Sequence, residues 1–260
     1  MNRRGFLTAA SGGCLAMTLP AGAIESQPQI IELRRLQMRN TQDNMVQRSN
    51  DYLANVYLPA AEKAGVKPLG FFASVIGEGS PFTLIVSQHA SLQAWDDAFA
   101  KIAADKDFGK VREAYYSGPL QYSRMDVTLL RGFQTMPGIE VLQPRADKRT
   151  RIFELRTYES DNLKTLARKV RMFDEGEIAL FRKLNMTPVF FGATIAGQNM
   201  PNLTYMLAYD DMAARDAAWS TFATHPEWSK MKSQPGVSDA EIVSNISNSI
   251  LRPLPFSKIR

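Results

Sequence analysis

The 260-residue chain is 45% hydrophobic and 22% charged, an ordinary balance for a globular protein that argues against a disordered or fibrous chain. This length suits one large domain or two small ones. The formal net charge of +5 is small, and the densest basic group, residues 145–151, falls in a stretch rich in Pro, Gly and charge. Because nucleic-acid binding usually needs a clustered basic surface, no nucleic-acid partner is predicted.

The amino terminus has the features of an export signal. A short positive segment with Arg3 and Arg4 precedes a moderately apolar stretch, and Ala21 and Ala23 fit the small-residue rule for a signal peptidase that cuts before Ile24. The run around the two arginines resembles the twin-arginine export signal of bacteria. We therefore predict a cleaved twin-arginine signal peptide, transfer by the twin-arginine export machinery and a periplasmic location.

The cysteine content excludes several kinds of chemistry from the mature chain. The one cysteine, Cys14, lies inside the signal, so the mature chain has no disulfide, no thiol nucleophile and no thiolate metal ligand. Lipid attachment at Cys14 stays open as an alternative. After the signal no apolar run approaches membrane-spanning length, so stable membrane insertion is not predicted.

An internal repeat organises the rest of the chain. Residues 30–34 return as residues 152–156, and residues 129–131 return as residues 250–252, at an offset of about 120 residues. Further landmarks keep the same order, which chance does not produce. The predicted segments are a signal peptide (1–23), a first domain (28–135), a linker (136–150) and a second domain (151–256).

The second copy shows its elements most clearly. Residues 151–159 alternate as a strand does, and apolar residues at helical spacing follow up to Phe181. A hairpin of strands 188–195 and 203–209 precedes a second helix, and a last strand ends near Leu251. This β-α-β-β-α-β order is typical of a ferredoxin-like unit, which covers one sheet face with helices. We predict an α+β fold of two tandem ferredoxin-like domains packed sheet to sheet.

Four sequence blocks of the second copy together resemble the NIPSNAP domain. They are Glu-Leu-Arg-Thr-Tyr at 154–158, Tyr-Met-Leu-Ala-Tyr at 205–209, Ala-Ala-Arg-Asp-Ala-Ala-Trp at 213–219 and Pro-Glu-Trp at 226–228. The resemblance implies a dimeric α/β-barrel, made here by the two copies as a pseudo-dimer. Relatives with that barrel include small monooxygenases, isomerases and haem proteins. The resemblance carries over no catalytic residue, and a fold alone does not establish a function.

The first copy is a degenerate version of the same pattern. It keeps Glu-Leu-Arg at 32–34, but Leu36 and Leu84 stand at the positions of Tyr158 and Tyr205. A functional cavity between the sheets is therefore expected to be dominated by the second copy.

Two charges on one strand face are the first candidate site residues. Glu154 and Arg156 lie two apart, as do Glu32 and Arg34. If the apolar strand face packs on the helices, these charges point into the space between the sheets. A buried charge is costly unless it is paired. Two interpretations follow: a Glu–Arg network that fixes the pairing of the sheets, or a ligand site in which Arg156 binds an anionic or carbonyl oxygen.

Tyrosines and one histidine complete the candidate set. Tyr158, Tyr205 and Tyr209 would line a pocket with apolar rings and polar tips, or are ordinary core aromatics. His225 lies in a turn after a helix, where it is a general base, an axial haem ligand or a surface residue. With two histidines and no mature cysteine, no metal site is predicted, and the sequence requires no cofactor.

Two function classes remain open. The first is a small-molecule binding or scaffolding protein of the cell envelope with no defined reaction. The second is a small cavity enzyme, monooxygenase- or isomerase-like, that is cofactor-free or uses haem and acts on an apolar or aromatic substrate. Both classes imply a small-molecule ligand. Further association into a homo-oligomer stays open.

Overall fold

The computed structural model describes residues 27–147 and 149–260. The predicted signal segment, with Arg3, Arg4 and Cys14, lies outside the described residues. The described chain forms these strands: β1 (Ile30–Gln37), β2 (Leu69–Ile76), β3 (Phe82–His89), β4 (Arg124–Gly132), β5 (Ile152–Glu159), β6 (Thr187–Ala196), β7 (Asn202–Tyr209) and β8 (Asn245–Pro253).

Helices lie between the strands in the same places in the N-terminal half (β1–β4) and the C-terminal half (β5–β8). The first helical region of each half is interrupted by one π-helical turn, Leu53–Tyr57 or Phe173–Glu177. The α-helices are α1 (Met45–Tyr52), α2 (Leu58–Lys63), α3 (Leu92–Ala104), α4 (Lys106–Tyr116), α5 (Leu163–Met172), α6 (Ile178–Lys183), α7 (Met212–Thr224), α8 (Pro226–Lys232) and α9 (Asp239–Ile242).

The eight strands close into one antiparallel barrel in the order β1-β3-β2-β8-β5-β7-β6-β4. The halves join at two seams, where β2 pairs with β8 and β4 pairs with β6. At the second seam a Cβ on Gly192 would lie only 2.6 Å from the Cβ of Leu130, so the close approach of the strands requires glycine there. The predicted α+β fold of the dimeric α/β-barrel type is confirmed.

The barrel interior is an apolar core. One buried cluster draws residues from all eight strands, and its member outside the strands is Ile259 of the C-terminal tail. Phe153 of β5 lies in this cluster and Leu155 packs against it. An eight-stranded barrel is just wide enough for side chains to fill it, so its interior has no room for solvated charges.

The outer face of each half packs against its own helices. Tyr158, Tyr205 and Tyr209 share a cluster with helix residues such as Phe173 and Phe222. Helix α7 begins where expected, since Asp211 accepts a hydrogen bond from the backbone N–H of Ala214 (2.9 Å). The layer between helices and barrel is therefore the second core of each half.

The expected orientation of β5 is wrong. Phe153 and Leu155 fill the barrel, whereas Glu154 and Arg156 face the helices rather than a space between the sheets. Strand alternation separates two faces but does not say which one is inside. The closed barrel decides, because charged side chains could not be paired in its interior, while α7 supplies them with partners.

Candidate functional site

Glu154 is the centre of a polar network beneath α7. Its carboxylate is fully buried. Oε1 accepts hydrogen bonds from Arg156 (2.9 Å), Arg215 (2.6 Å) and Asn248 (3.1 Å), and Oε2 accepts one from the indole of Trp219 (2.9 Å). Both carboxylate oxygens are thus occupied by donors from β5, β8 and α7.

The four hydrogen-bond donors around its carboxylate keep Glu154 ionised. Burial alone would raise the pKa of the carboxyl group, but the hydrogen bond from Arg215 and the charge of Arg156 bring that pKa below its ordinary value. An ionised carboxylate with four donors is a structural anchor and a poor general base. It ties helix α7 to the barrel wall.

Arg156 connects this anchor to the predicted tyrosines. Its Nη2 donates to the hydroxyl of Tyr158 (3.2 Å), and its Cζ lies 4.4 Å from the ring centroid of Trp219. The hydroxyl of the fully buried Tyr205 donates to the same Tyr158 oxygen (3.0 Å). The structure therefore brings together Glu154, Arg156, Tyr158 and Tyr205 as packed, hydrogen-bonded neighbours, with Nε of Arg156 left without a partner among the described residues.

Tyr209 and His225 have separate surroundings. The Tyr209 hydroxyl is buried and has no hydrogen-bond partner among the described residues, and burial raises its pKa. Its ring borders a surface cleft of about 630 Å³. His225 caps α8, where its Nδ1 accepts from the backbone N–H of Glu227 (3.2 Å). These contacts make His225 a helix cap in a turn.

The sequence reasoning missed a buried ion pair beside the π-helical turn of the C-terminal half. Lys169 donates to Glu177 (3.1 Å) and Asp239 (3.2 Å), and its Nζ lies 4.9 Å from the ring centroid of Phe173. Burial lowers the pKa of Lys169, but its two acidic partners raise it above the ordinary value. The available signal was Lys169 itself, which follows Leu166 at helical spacing on the buried face.

The N-terminal half repeats the buried glutamate with other partners. Arg34 donates to Oε1 of Glu32 through Nε (2.8 Å) and contacts it through Nη2 (2.7 Å). Trp95 donates to Oε2 (3.1 Å), as does Ser87 (3.3 Å), which is itself 3.0 Å from Nε2 of His89. Burial raises the pKa of Glu32, but His89 and Arg34 bring it below the ordinary value.

Strand register gives the true counterparts of the two tyrosines. Arg34 pairs with Ile85 as Arg156 pairs with Tyr205, so Ile85 and not Leu84 stands at the Tyr205 position. Leu84 points into the barrel. The expected correspondence was wrong by one residue because both neighbours are apolar, and a shift of one residue moves a side chain to the other sheet face.

The layer between helices and barrel is filled differently in the two halves. In the C-terminal half six of its positions carry these aromatic side chains: Tyr158, Phe173, Tyr205, Trp219, Phe222 and Trp228. In the N-terminal half each matching position has a smaller side chain: Leu36, Leu53, Ile85, Phe99, Ile102 and Phe108. At these six positions the N-terminal layer therefore has less side-chain volume than the C-terminal one, although Tyr52 and Tyr57 are larger than their counterparts Met172 and Glu177.

A cavity occupies the space that these smaller side chains leave. It has a volume of about 200 Å³, and all six of the smaller residues line it. We call it the helix–barrel cavity. It lies between the helices and the outer face of β1 and β3, so the expectation of an open space between the sheets, dominated by the second copy, is wrong.

The polar groups of the helix–barrel cavity are donors. Two arginines, Arg34 and Arg112, and four tyrosines line it, together with apolar side chains and no acidic residue. Burial raises the pKa of the Tyr57 hydroxyl to about 12, so it stays protonated at neutral pH. Apolar walls with a few convergent donors are typical of a small-molecule site.

The C-terminal half has a family match. Residues 153–258 match the NIPSNAP family model, so this half contains a NIPSNAP domain. No curated protein matches the chain. A NIPSNAP-like domain protein from Burkholderia xenovorans is 20% identical over 42% of this chain and 89% of that chain, with a TM-score of 0.37.

Two solved structures resemble the whole barrel. A presumed monooxygenase from Fusobacterium nucleatum subsp. nucleatum ATCC 25586 is 8% identical, with a TM-score of 0.57 over 88% of this chain and 93% of that chain. A presumed monooxygenase from Lactobacillus acidophilus NCFM is 11% identical, with a TM-score of 0.54 over 87% of this chain and 94% of that chain. At these identities the similarity shows a shared fold.

The described residues contain neither a membrane-spanning helix nor a candidate metal cluster. Within residues 27–147 and 149–260, no helix combines the length and apolarity needed to cross a bilayer. The same residues contain no group of three or more His, Cys, Asp or Glu placed to hold a metal ion.

Proposed function

We propose that this chain is an exported protein of the bacterial cell envelope that binds a small molecule in the helix–barrel cavity. The observation that carries the proposal is the substitution of six aromatic residues by smaller ones in the N-terminal half. It leaves about 200 Å³ of space beside the guanidinium of Arg34. A cavity with largely apolar walls and a fixed cation, open to solvent at Tyr116 and Met125, can hold an apolar ligand and orient its polar end.

We also infer that the N-terminal half is a diverged NIPSNAP domain. Its strand register and its π-helical turn at Leu53–Tyr57 correspond to those of the half that matches the family model. The two halves differ at six positions of the layer between helices and barrel. The C-terminal domain would then serve as the packed support, and the N-terminal domain as the binding unit.

Binding without turnover is the function that these side chains favour. Glu32, with a lowered pKa and hydrogen bonds from Arg34, Trp95 and Ser87, is a poor general base. Tyr57 is a donor at neutral pH. The names of the two barrel relatives suggest a second candidate, oxygen-dependent conversion of a ligand in the same cavity.

The test is to identify what the exported protein carries. We expect mass spectrometry of protein purified from the periplasm to find a small molecule that is absent from the variant Leu36→Tyr/Ile85→Tyr, whose cavity is filled. Val141→Tyr, at a half-exposed linker position, is the matched control and should keep the molecule. Equal retention by the filled variant would overturn the proposed site. Conversion of the molecule in the presence of oxygen would select the enzyme instead.

Export has its own test. The twin-arginine proposal rests on Arg3 and Arg4 and on the small residues Ala21 and Ala23. Replacing both arginines by lysine should leave uncut precursor in the cytoplasm, because the twin-arginine machinery is expected to require the arginine pair. Fractionation and immunoblotting measure this, with Arg145→Lys as the control. Unchanged periplasmic levels would contradict the proposal.

A further inference from the structure

In the C-terminal half the side chain of Tyr158 fills the position that a ligand would take in the N-terminal half. The phenolic oxygen of Tyr158 accepts hydrogen bonds from Arg156 (3.2 Å) and Tyr205 (3.0 Å). The Tyr158 ring contacts Phe173, with 6.1 Å between the ring centroids. An aromatic ring with an oxygen acceptor thus occupies the layer that is partly open in the N-terminal half.

The N-terminal half lacks this occupant but retains its donor. Leu36 stands at the Tyr158 position and offers no oxygen to Arg34. The Cζ of Arg34 lies 4.4 Å from the Phe99 ring centroid, as that of Arg156 does from Trp219, although Arg156 contacts its glutamate through Nη1. Arg34 uses Nε and Nη2 on Glu32, and its Nη1 has no hydrogen-bond partner among the described residues.

A second donor stands beside this guanidinium. Tyr57 occupies the position of Glu177, at the end of the π-helical turn, and its ring centroid lies 5.8 Å from the Cζ of Arg34. Its hydroxyl makes no hydrogen bond to any described residue, and at neutral pH it is protonated. Arg34 and Tyr57 together can hold one oxygen-bearing group, as Arg156 and Tyr205 hold the Tyr158 oxygen.

Charge and size narrow the ligand class. The lining contains two arginines and no acidic residue. Arg34 is paired with Glu32, and Arg112 lies 3.7 Å from Glu113, so both charges are partly offset. Because the two arginines line the cavity and neither glutamate does, the lining still favours an anionic oxygen over a neutral one. The volume of about 200 Å³ suits a single ring, since an engineered apolar cavity of ~150 Å³ in another protein holds benzene.

We propose that the helix–barrel cavity binds a monocyclic aromatic carboxylate, with the ring in place of the Tyr158 ring and the carboxylate on Arg34 and Tyr57. This inference rests on the proposed binding function and specifies its ligand. Benzoate is the simplest probe of the class. Toluene tests the ring without the charge, and acetate tests the charge without the ring.

The experiment is calorimetric titration of the exported protein at neutral pH and low salt. We expect one benzoate per chain and at least tenfold weaker binding of toluene and acetate. Tyr57→Phe should weaken benzoate about tenfold, the effect of one hydrogen bond to a charged group, and leave toluene unchanged. Leu36→Tyr/Ile85→Tyr should abolish benzoate binding while retaining a cooperative thermal melt.

The reverse exchange gives an independent test, because it predicts a gain of binding, which a misfolded variant could not produce. Tyr158→Leu/Tyr205→Ile opens the C-terminal layer and frees Arg156 from Tyr158, so a second, weaker benzoate site should appear. Unchanged stoichiometry in a folded variant would contradict the view that Tyr158 stands in for the ligand.

The remaining outcomes separate the ligand class from the proposed function. Equal affinity for benzoate and toluene, or no benzoate binding by a protein that co-purifies with another molecule, would overturn the aromatic acid and leave the binding function standing. Benzoate binding that survives in the filled variant would overturn the site. A wild-type protein that carries nothing and binds no probe would overturn both.

Discussion

The two halves of the barrel share the same elements and the same buried Glu–Arg pair, but the layer between helices and barrel is packed differently in each. Each has a buried glutamate on its first strand, an arginine two residues later and a π-helical turn in its first helical region. The C-terminal layer is filled by aromatic side chains at six positions where the N-terminal layer has smaller ones and contains the helix–barrel cavity, which is open to solvent at Tyr116 and Met125. Once one half packs tightly, the other can lose volume without loss of the common barrel, because both halves share the interior core.

The largest expected effect comes from separating the halves. Residues 146–260 produced alone would expose the seam edges of β6 and β8 and the apolar inner face around Phe153. We expect this fragment to form a homodimer that restores an eight-stranded barrel, because exposed strand edges and apolar faces seek partners. Analytical ultracentrifugation measures the state. A stable monomer would show that each half closes its own core.

The second comparison concerns the two arginines. Arg34→Met leaves Glu32 buried without an arginine partner, which should cost about 3–5 kcal/mol of unfolding free energy. Arg156→Met should cost only about 1–3 kcal/mol, because Arg215 still contacts Glu154 at 2.6 Å. Urea unfolding at pH 7 measures both, with Arg131→Met at an exposed strand position as the control. A larger loss for Arg156→Met would reverse the comparison.

The smallest expected effect is on the pH dependence of stability. Folding lowers the pKa of Glu32 and of Glu154 below the ordinary value of 4.5, since their donors outweigh burial. A lowered pKa stabilises the fold above the unfolded pKa, and this contribution is lost as pH falls through the folded pKa. Unfolding free energy should therefore decrease below about pH 4.5. Glu32→Gln and Glu154→Gln should each flatten that decrease.

Urea midpoints between pH 7 and pH 3 check this expectation. Exposed carboxylates titrate equally in all three proteins, so the difference in slope reports the substituted glutamate alone. Identical slopes in the wild type and both variants would show that neither glutamate is linked to folding through its proton.

Local patterns determined the order of elements and the fold class. Alternation along residues 151–159 and helical spacing up to Phe181 depend on neighbours in the chain, and the side chain of Asp211 caps its helix by accepting from the backbone N–H of Ala214. The pairing of Glu154 with Arg156 was also readable, since both lie on one face of a single strand. The constellation of Glu154, Arg156, Tyr158 and Tyr205 was therefore identified before its surroundings were known.

Only the tertiary structure decided where those side chains point and where space remains. Both faces of β5 carry large side chains, so the sequence could not tell the barrel interior from the helix side, and the pairing of β1 with β3 was needed to find Ile85. The buried Lys169 acquires Glu177 from the π-helical turn that directly follows its own helix, but its second partner, Asp239, comes from α9, far along the chain. The helix–barrel cavity is the sum of small volume losses at positions from β1 to α4, which meet only after the helices pack on the barrel.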